Sequence, residues 1–166
     1  PYAREIEVLA CQQILAGDGD GTFRPKDTIT RGELACLLNG LIRGKAVEGG
    51  YFTDVKDGAW YANGVNVLYE MGVVSGYEDG TFRPDQPVTQ EELIAVLAQF
   101  GRWMNMNLYD AAGSLSEEIP DALSHFSEWA QPSALLCQQF GLLWKEPGEL
   151  EPQKNALREE TAAMLY

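Results

Sequence analysis

GDGDGTFRPKDTITRGEL, residues 17–34, returns almost intact as GYEDGTFRPDQPVTQEEL at residues 76–93, an offset of 59 from Gly17 to Gly76. Both copies hold D-G-T-F-R-P, then an apolar residue, a Thr, and a Glu three places after that Thr. The likeness extends backwards, where YAREIEVLACQQILAG (Tyr2–Gly17) lies over YANGVNVLYEMGVVSG (Tyr61–Gly76). A third, weaker copy follows: ELEPQKNALREETAAML (Glu149–Leu165) lies over TFRPDQPVTQEELIAVL (Thr81–Leu97), and EWAQPSALLCQQFGLL (Glu128–Leu143) over AWYANGVNVLYEMGVV (Ala59–Val74). Self-similarity at such a period marks a protein assembled from repeated supersecondary units.

Each unit has the same anatomy. A first helix carries apolar residues at helical spacing, as in Ile6, Leu9 and Ile14, or Val65, Leu68 and Met71. A glycine-rich turn follows, then a short extended piece around Phe23 or Phe82, where Pro25 or Pro84 bars helix. A second helix starts at Thr30 or Thr89, and Glu33 or Glu92 completes the capping-box pattern. Its apolar face runs through Leu34, Leu37, Leu38 and Leu41, and through Leu93, Val96, Leu97 and Phe100. In the third copy Leu157 stands where the cap Thr should be, so a less sharply defined start is expected there. A unit of about 45 residues with two short helices cannot bury its apolar faces alone. The expected fold is therefore mostly α, with three helix-loop-helix repeats packed as a pseudo-threefold helical bundle with loop prongs. Residues 1–166 form one compact module in this reading: repeat 1 over 1–43, truncated at its start, repeat 2 over 51–102, repeat 3 over 119–166, and a linker over 103–118.

The opening Asp-x-Asp-Gly run invites a calcium reading, which its own spacing weakens. An EF-hand loop needs oxygen ligands at positions 1, 3, 5 and 12 with Gly at 6. With Gly21 at the glycine place, Asp18 and Asp20 fall on ligand places, but Ala16 and the short Asp27 fall on the first and last. In the second copy Tyr77 and Gln86 occupy ligand places. Turn chemistry explains more: Asp accepts local backbone hydrogen bonds, Gly supplies a positive φ, and Phe23 or Phe82 plugs the turn into the core. No metal and no cofactor is expected.

Composition narrows the function classes. The chain is 45% hydrophobic and 22% charged, with four Trp, which is globular rather than disordered. Twenty-five acidic against 12 basic residues give a net charge of −13. That argues against nucleic acid, whose binding depends on neutralising phosphates, and no apolar run is long enough for membrane insertion. An anionic ligand would need a local cationic pocket working against the overall field. Cys11, Cys36 and Cys137 share no metal-like spacing and read as small core residues.

The pattern G-Y-x-D-G-T-F-x-P, apolar, T-R-x-E resembles the S-layer homology repeat of bacterial surface proteins. YFTDVKDGAWYANGVNVLYEMGVVSG (Tyr51–Gly76) is similar to that family's F-x-D-V…W…A…L…G half, and IPDALSHFSEW (Ile119–Trp129) to a degraded version of it. The resemblance covers nearly the whole chain and implies a non-catalytic anchoring module at the bacterial cell envelope, cell wall or S-layer. It implies as partner a secondary cell-wall polysaccharide bearing a pyruvylated amino sugar, held in grooves between repeats. A module that keeps the fold but has lost the sugar, binding surface proteins instead, is the alternative.

Carried over by position, the family's four-residue motif is Thr30-Arg31-Gly32-Glu33, then Thr89-Gln90-Glu91-Glu92, then Leu157-Arg158-Glu159-Glu160. The resemblance thus implies ligand contacts at Thr30, Arg31, Glu33 and Arg158, with Tyr77, Asp79, Gly80 and Trp60 around them. Arg suits a pyruvate ketal because its planar fork matches a carboxylate, and exposed amides at a helix start would add attraction. Gln90 removes the charge from the second site, and Glu91 beside it is expected to repel an anion. The same residues have plainer readings: Arg31 on a solvated helical turn, Arg24 and Arg83 paired with nearby acids, Trp60 and Trp129 as core anchors. An enzyme reading would rest on Glu117, Glu118 and Asp121 near the lone His125, where a solvated charge run is the simpler account.

Overall fold

A computed structural model describes residues 2–11, 23–104 and 119–166. The Asp18–Gly21 turn of repeat 1, Ile14, the acids Glu117 and Glu118, and most of the linker lie outside the described residues. So does the Cys11 side chain. Within the described residues the regular structure is helical: α1 (Ala3–Cys11), α2 (Arg31–Ile42), α3 (Ala62–Glu70), α4 (Gln90–Trp103), α5 (Gln131–Gln139) and α6 (Arg158–Leu165). Short 3-10 turns at Asp121–Leu123 and Pro147–Glu149 precede α5 and α6 respectively. Extended backbone pairs only as isolated bridges among these residues. No described helix is long and apolar enough to cross a membrane.

Capping decides where the second helix of each repeat begins. Thr30 accepts the Glu33 N–H at 3.2 Å while Glu33 Oε2 accepts the Thr30 N–H at 2.8 Å. Thr89 and Glu92 repeat this at 3.3 and 2.8 Å. Leu157 has no side-chain acceptor, yet α6 starts at the equivalent residue, because Glu160 Oε2 still accepts the Leu157 N–H at 2.9 Å. One half of the box suffices to place the start.

The chain divides into two compact units whose boundaries fall at these caps: Pro1–Val88 with Leu157–Tyr166, and Thr89–Ala156. Packing is therefore offset from the sequence repeat by one helix. In the first unit α2 packs on α3, and α6 packs on α1. Leu34, Ala35 and Leu38 of α2 are buried, as are Val65 and Leu68 of α3 and Phe82, while Phe23, Ile6, Leu37 and Leu165 pack about Ala162. In the second unit α4 packs on α5. Leu93, Ile94 and Ala98 are buried there with Leu123, Phe126, Leu136 and Cys137. The Cys137 thiol donates to the Ile94 carbonyl, and burial pushes its pKa up to about 12. Cys36 is half-buried and also a free thiol, donating to the Trp60 carbonyl.

The turn of repeat 2 shows what its glycine and aspartate do. Asp79 accepts from the Thr81 N–H at 3.0 Å, the Thr81 hydroxyl at 2.6 Å and Arg83 Nη2 at 2.9 Å. Gly80 has φ +77°, and its carbonyl accepts the Thr53 N–H at 3.0 Å. Phe82, 1% exposed, plugs the turn into the core. Arg83, and Arg24 in the equivalent place, take φ of 58° and 47°, uncommon for residues with side chains. Asp54 stabilises the first of these, its two oxygens accepting the Phe82 and Arg83 N–H groups at 2.8 and 2.7 Å. The D of the F-x-D-V stretch is thus the clamp of the turn.

Two outcomes follow. A Cβ at Gly64 would stand 3.0 Å from the Ala35 backbone and Cys36 Cα, whereas one at Gly40 on α2 meets nothing within 4 Å. Gly64→Ala should therefore lower stability by about 1–3 kcal/mol, and Gly40→Ala should raise it by up to about 1 kcal/mol, in urea denaturation. The Thr81 hydroxyl, then Arg83, hold the Asp79 carboxyl at about 2, below its ordinary 3.8. The lowered folded-state value means that its stabilising contribution is present above the ordinary carboxylate range and lost as pH falls towards 2. Carboxyl-carbon NMR titration should show this low midpoint, and Thr81→Val should raise it more than Arg83→Gln does.

Candidate ligand-binding site

The first N–H groups of a helix have no internal acceptors. Here each second helix gives them to carbonyls of another repeat. Arg31 and Gly32 of α2 donate to Gln86 O and Pro84 O at 3.0 and 2.8 Å. Gln90 and Glu91 of α4 donate to Lys154 O and Pro152 O at 2.8 and 3.1 Å, and Arg158 and Glu159 of α6 to Asp27 O and Pro25 O at 2.9 and 3.1 Å. The proline carbonyls are those of the T-F-R-P turns and their counterpart. The expectation of exposed helix-start amides awaiting an anion is corrected: these amides are already bound to carbonyls.

The residue that opens each second helix is thereby pressed against a neighbouring turn. Arg31 is half-buried. Its Nε donates to Phe82 O at 2.8 Å and its Nη2 to Ser75 O at 2.7 Å. Its guanidinium lies 4.4 Å from the Phe82 ring centroid and 5.1 Å from that of Tyr77. A guanidinium has more N–H donors than these two carbonyls take, so Arg31 can still present donors to a ligand. Arg83 lies 3.8 Å from the Tyr77 centroid, and Gln86 donates to the Tyr77 hydroxyl at 2.9 Å. Tyr77 is thus a ring already covered by two guanidinium groups rather than a bare platform. Arg83 reaches Asp79, which joins that acid to the cluster. Gly80 shapes the turn and is held by Thr53, while Thr30 Oγ1 serves as cap acceptor.

Trp60 and Trp129 are 64% and 57% exposed, so the core-anchor reading is corrected for both. They stand just ahead of α3 and α5, where the inward positions are taken by Val65, Leu68, Ala134 and Leu135. Trp60 meets Tyr61 edge-on at 5.3 Å, and Tyr61 Cβ lies 3.3 Å from where a Cβ on Gly32 would sit. An exposed indole therefore flanks the α2 start.

The other two motif positions differ. Arg158 donates from Nε to Phe23 O at 2.9 Å and from Nη1 to Glu33 Oε1 at 2.8 Å, with only 11% of its side chain exposed. Both oxygens of Glu33 are consequently engaged, one by Arg158 and one by the Thr30 N–H. Gln90 is 2% exposed, and its Oε1 accepts the Glu151 N–H at 2.9 Å. Glu91 is not a repelling surface charge. It is 3% exposed and accepts from the Ser127 N–H, the Ser127 hydroxyl and Gln153 Nε2 at 3.1, 3.0 and 2.7 Å. The second residue of each repeat's second helix is buried, and Glu159 in that place is paired with Lys26.

Arg24 pairs with Asp27 at 3.5 Å on the surface, His125 Nε2 donates to Leu150 O at 3.1 Å, and Asp121 is exposed. The described residues hold no group of three or more His, Cys, Asp or Glu able to ligate a metal. Sequence reasoning missed Asp54, Gln86 and the aromatic-stacking role of Arg83. The recurrence of Arg83 in both T-F-R-P copies was the available signal.

The family model of the S-layer homology domain matches residues 1–35 and 51–94. An amylopullulanase of Thermoanaerobacterium thermosulfurigenes is 32% identical over 97% of this chain, which spans 8% of that protein. Exoglucanase XynX of Acetivibrio thermocellus is also 32% identical over 97% of the chain, which spans 15% of it. A cellulosome-anchoring protein of the same species is 28% identical over 91% of the chain, which spans 34% of it. The chain is thus a small part of the length of the relatives it matches. Both half-motifs stand in order in a helical fold, and the chain belongs to the S-layer homology domain family.

Proposed function

We propose that this cell-surface anchoring module binds an anionic cell-wall polysaccharide through carboxylates of a pyruvylated amino sugar, with Arg31 as the principal contact. The observation that carries this is the position of the Arg31 guanidinium. It is fixed by two carbonyls and two aromatic rings at the α2 start, with N–H donors to spare. Preorganisation matters because a guanidinium already held in place loses little freedom on binding. Thr30 can donate its hydroxyl to the sugar, and the exposed Trp60 offers an apolar face to the pyranose ring or the ketal methyl. Asp79 and Gly80 act by shaping the turn that carries Tyr77. The chemistry is binding alone, so a catalytic activity of the parent protein would reside in a separate domain.

A second reading, an envelope protein-interaction module without glycan, is favoured by one observation. Two of the three motif positions carry no spare cation, since Gln90 is neutral and Arg158 is ion-paired.

Co-sedimentation with purified walls separates the two. Arg31→Ala should weaken wall binding by about tenfold or more, the scale of a charge-assisted hydrogen-bonded pair. Walls stripped of pyruvate should bind as poorly as that variant, and added salt should weaken the wild type. Unchanged sedimentation of Arg31→Ala, or equal binding to stripped walls, would contradict the glycan reading.

A further inference from the structure

We infer that Arg158 is a positioning residue for the Arg31 site and not a second anion contact, an inference that rests on the ligand reading given above for Arg31. Arg31 and Arg158 occupy equivalent places in their repeats, and their Nε atoms donate to equivalent carbonyls, Phe82 O and Phe23 O. They diverge at the far end of the guanidinium. Arg31 Nη2 meets a neutral backbone carbonyl, Ser75 O, on the exposed side. Arg158 Nη1 meets a carboxylate, Glu33 Oε1, at 2.8 Å, with 11% and 30% of the two side chains exposed.

That carboxylate is also the one that caps α2. Glu33 Oε2 accepts the Thr30 N–H at 2.8 Å, and Thr30 Oγ1 accepts the Glu33 N–H. Thr30 and Arg31 are adjacent, so Arg158 holds Glu33, Glu33 holds Thr30, and Thr30 sets the backbone from which Arg31 projects. The guanidinium of Arg158 lies 4.9 Å from the Phe23 ring centroid, which fixes its plane. A partly buried ion pair of this kind contributes geometry more than net stability, because desolvation offsets much of the attraction. A polymer carboxylate at Arg158 would meet a guanidinium only 11% exposed and already neutralised by Glu33, and would lie beside that like charge. Among the described residues the three motif positions therefore give one anion site, served by two arginines in different roles.

The test uses the whole chain and, as probe, the methyl glycoside of a pyruvylated N-acetyl amino sugar. Arginine Nε–H resonances and calorimetric stoichiometry are followed in the wild type, Arg158→Ala, Arg158→Lys, Glu33→Gln and the Arg158→Ala/Glu33→Gln double variant. The expected result is about one probe per chain, with the probe shifting the Arg31 Nε–H and leaving that of Arg158 in place. Arg158→Ala should lower affinity about threefold to tenfold at unchanged stoichiometry and speed amide exchange at Thr30, and Arg158→Lys should recover part of both. Glu33→Gln should give a similar loss, with the double variant no worse than either single one. A ligand-induced shift at Arg158 itself, with stoichiometry falling from about two to about one in Arg158→Ala, would overturn the inference. So would unchanged affinity and Thr30 exchange in Arg158→Ala. Where Arg158→Ala fails to fold, Arg158→Lys and Glu33→Gln carry the same comparison. Should the wild type fail to bind the probe, the ligand reading falls. The positioning role is then decided by Thr30 exchange, faster in both Arg158 and Glu33 variants if it holds and unchanged if it does not.

Discussion

An α-helix begins with N–H groups that nothing inside it can accept, and burying one unpaired costs about 1–3 kcal/mol. In this chain the second helix of each repeat meets that demand with carbonyls from another repeat: Gln86 and Pro84 for α2, Lys154 and Pro152 for α4, Asp27 and Pro25 for α6. The glycine-proline turns thus carry more than a change of direction. Their prolines forgo a donor and present carbonyls at the height of an adjoining helix start. The offset packing pairs, α2 with α3, α4 with α5 and α1 with α6, follow from the same arrangement. A single repeat has neither an apolar partner nor acceptors for its own helix, which makes the sequence repeat and the packing unit different objects.

This constraint also shapes the proposed site. Whatever residue opens the second helix is carried against a neighbouring turn, and its charge then has one of three outcomes. Arg31 finds carbonyls and aromatic faces and retains donors. Arg158 finds the carboxylate of Glu33 and is neutralised. Gln90 accepts a backbone amide and is neutral from the outset. The next residue inward is buried in each case, so Glu91 and Glu159 require donors of their own, which Ser127, Gln153 and Lys26 supply. A chain of net charge −13 can bind an anion only where such local accounting leaves a cation uncancelled.

Much of the fold was legible because local chemistry and global structure agree. Thr30 with Glu33 and Thr89 with Glu92 announce helix starts, and the structure has both boxes. Asp79 and Gly80 announce a turn, and Phe82 its anchor. What was not legible depends on partners distant in sequence. Glu91 reads as a charge that repels an anion until Ser127 and Gln153 are seen to surround it. Asp54 stands in the F-x-D-V stretch with no role of its own until it is seen clamping the left-handed Arg83. Trp60 and Trp129 read as core because aromatics are large and apolar, but small and aliphatic residues fill the inward positions beside them. The helix-start amides read as free for an anion because no pattern in a single repeat reveals a borrowed carbonyl.

That borrowing is directly measurable as scalar coupling across hydrogen bonds in a doubly labelled sample. Couplings are expected from the Arg31, Gln90 and Arg158 amide nitrogens to the carbonyl carbons of Gln86, Lys154 and Asp27, with slow exchange at all three amides. Absent couplings together with solvent-rate exchange at these positions would contradict it, and would return the helix starts to service as anion sites.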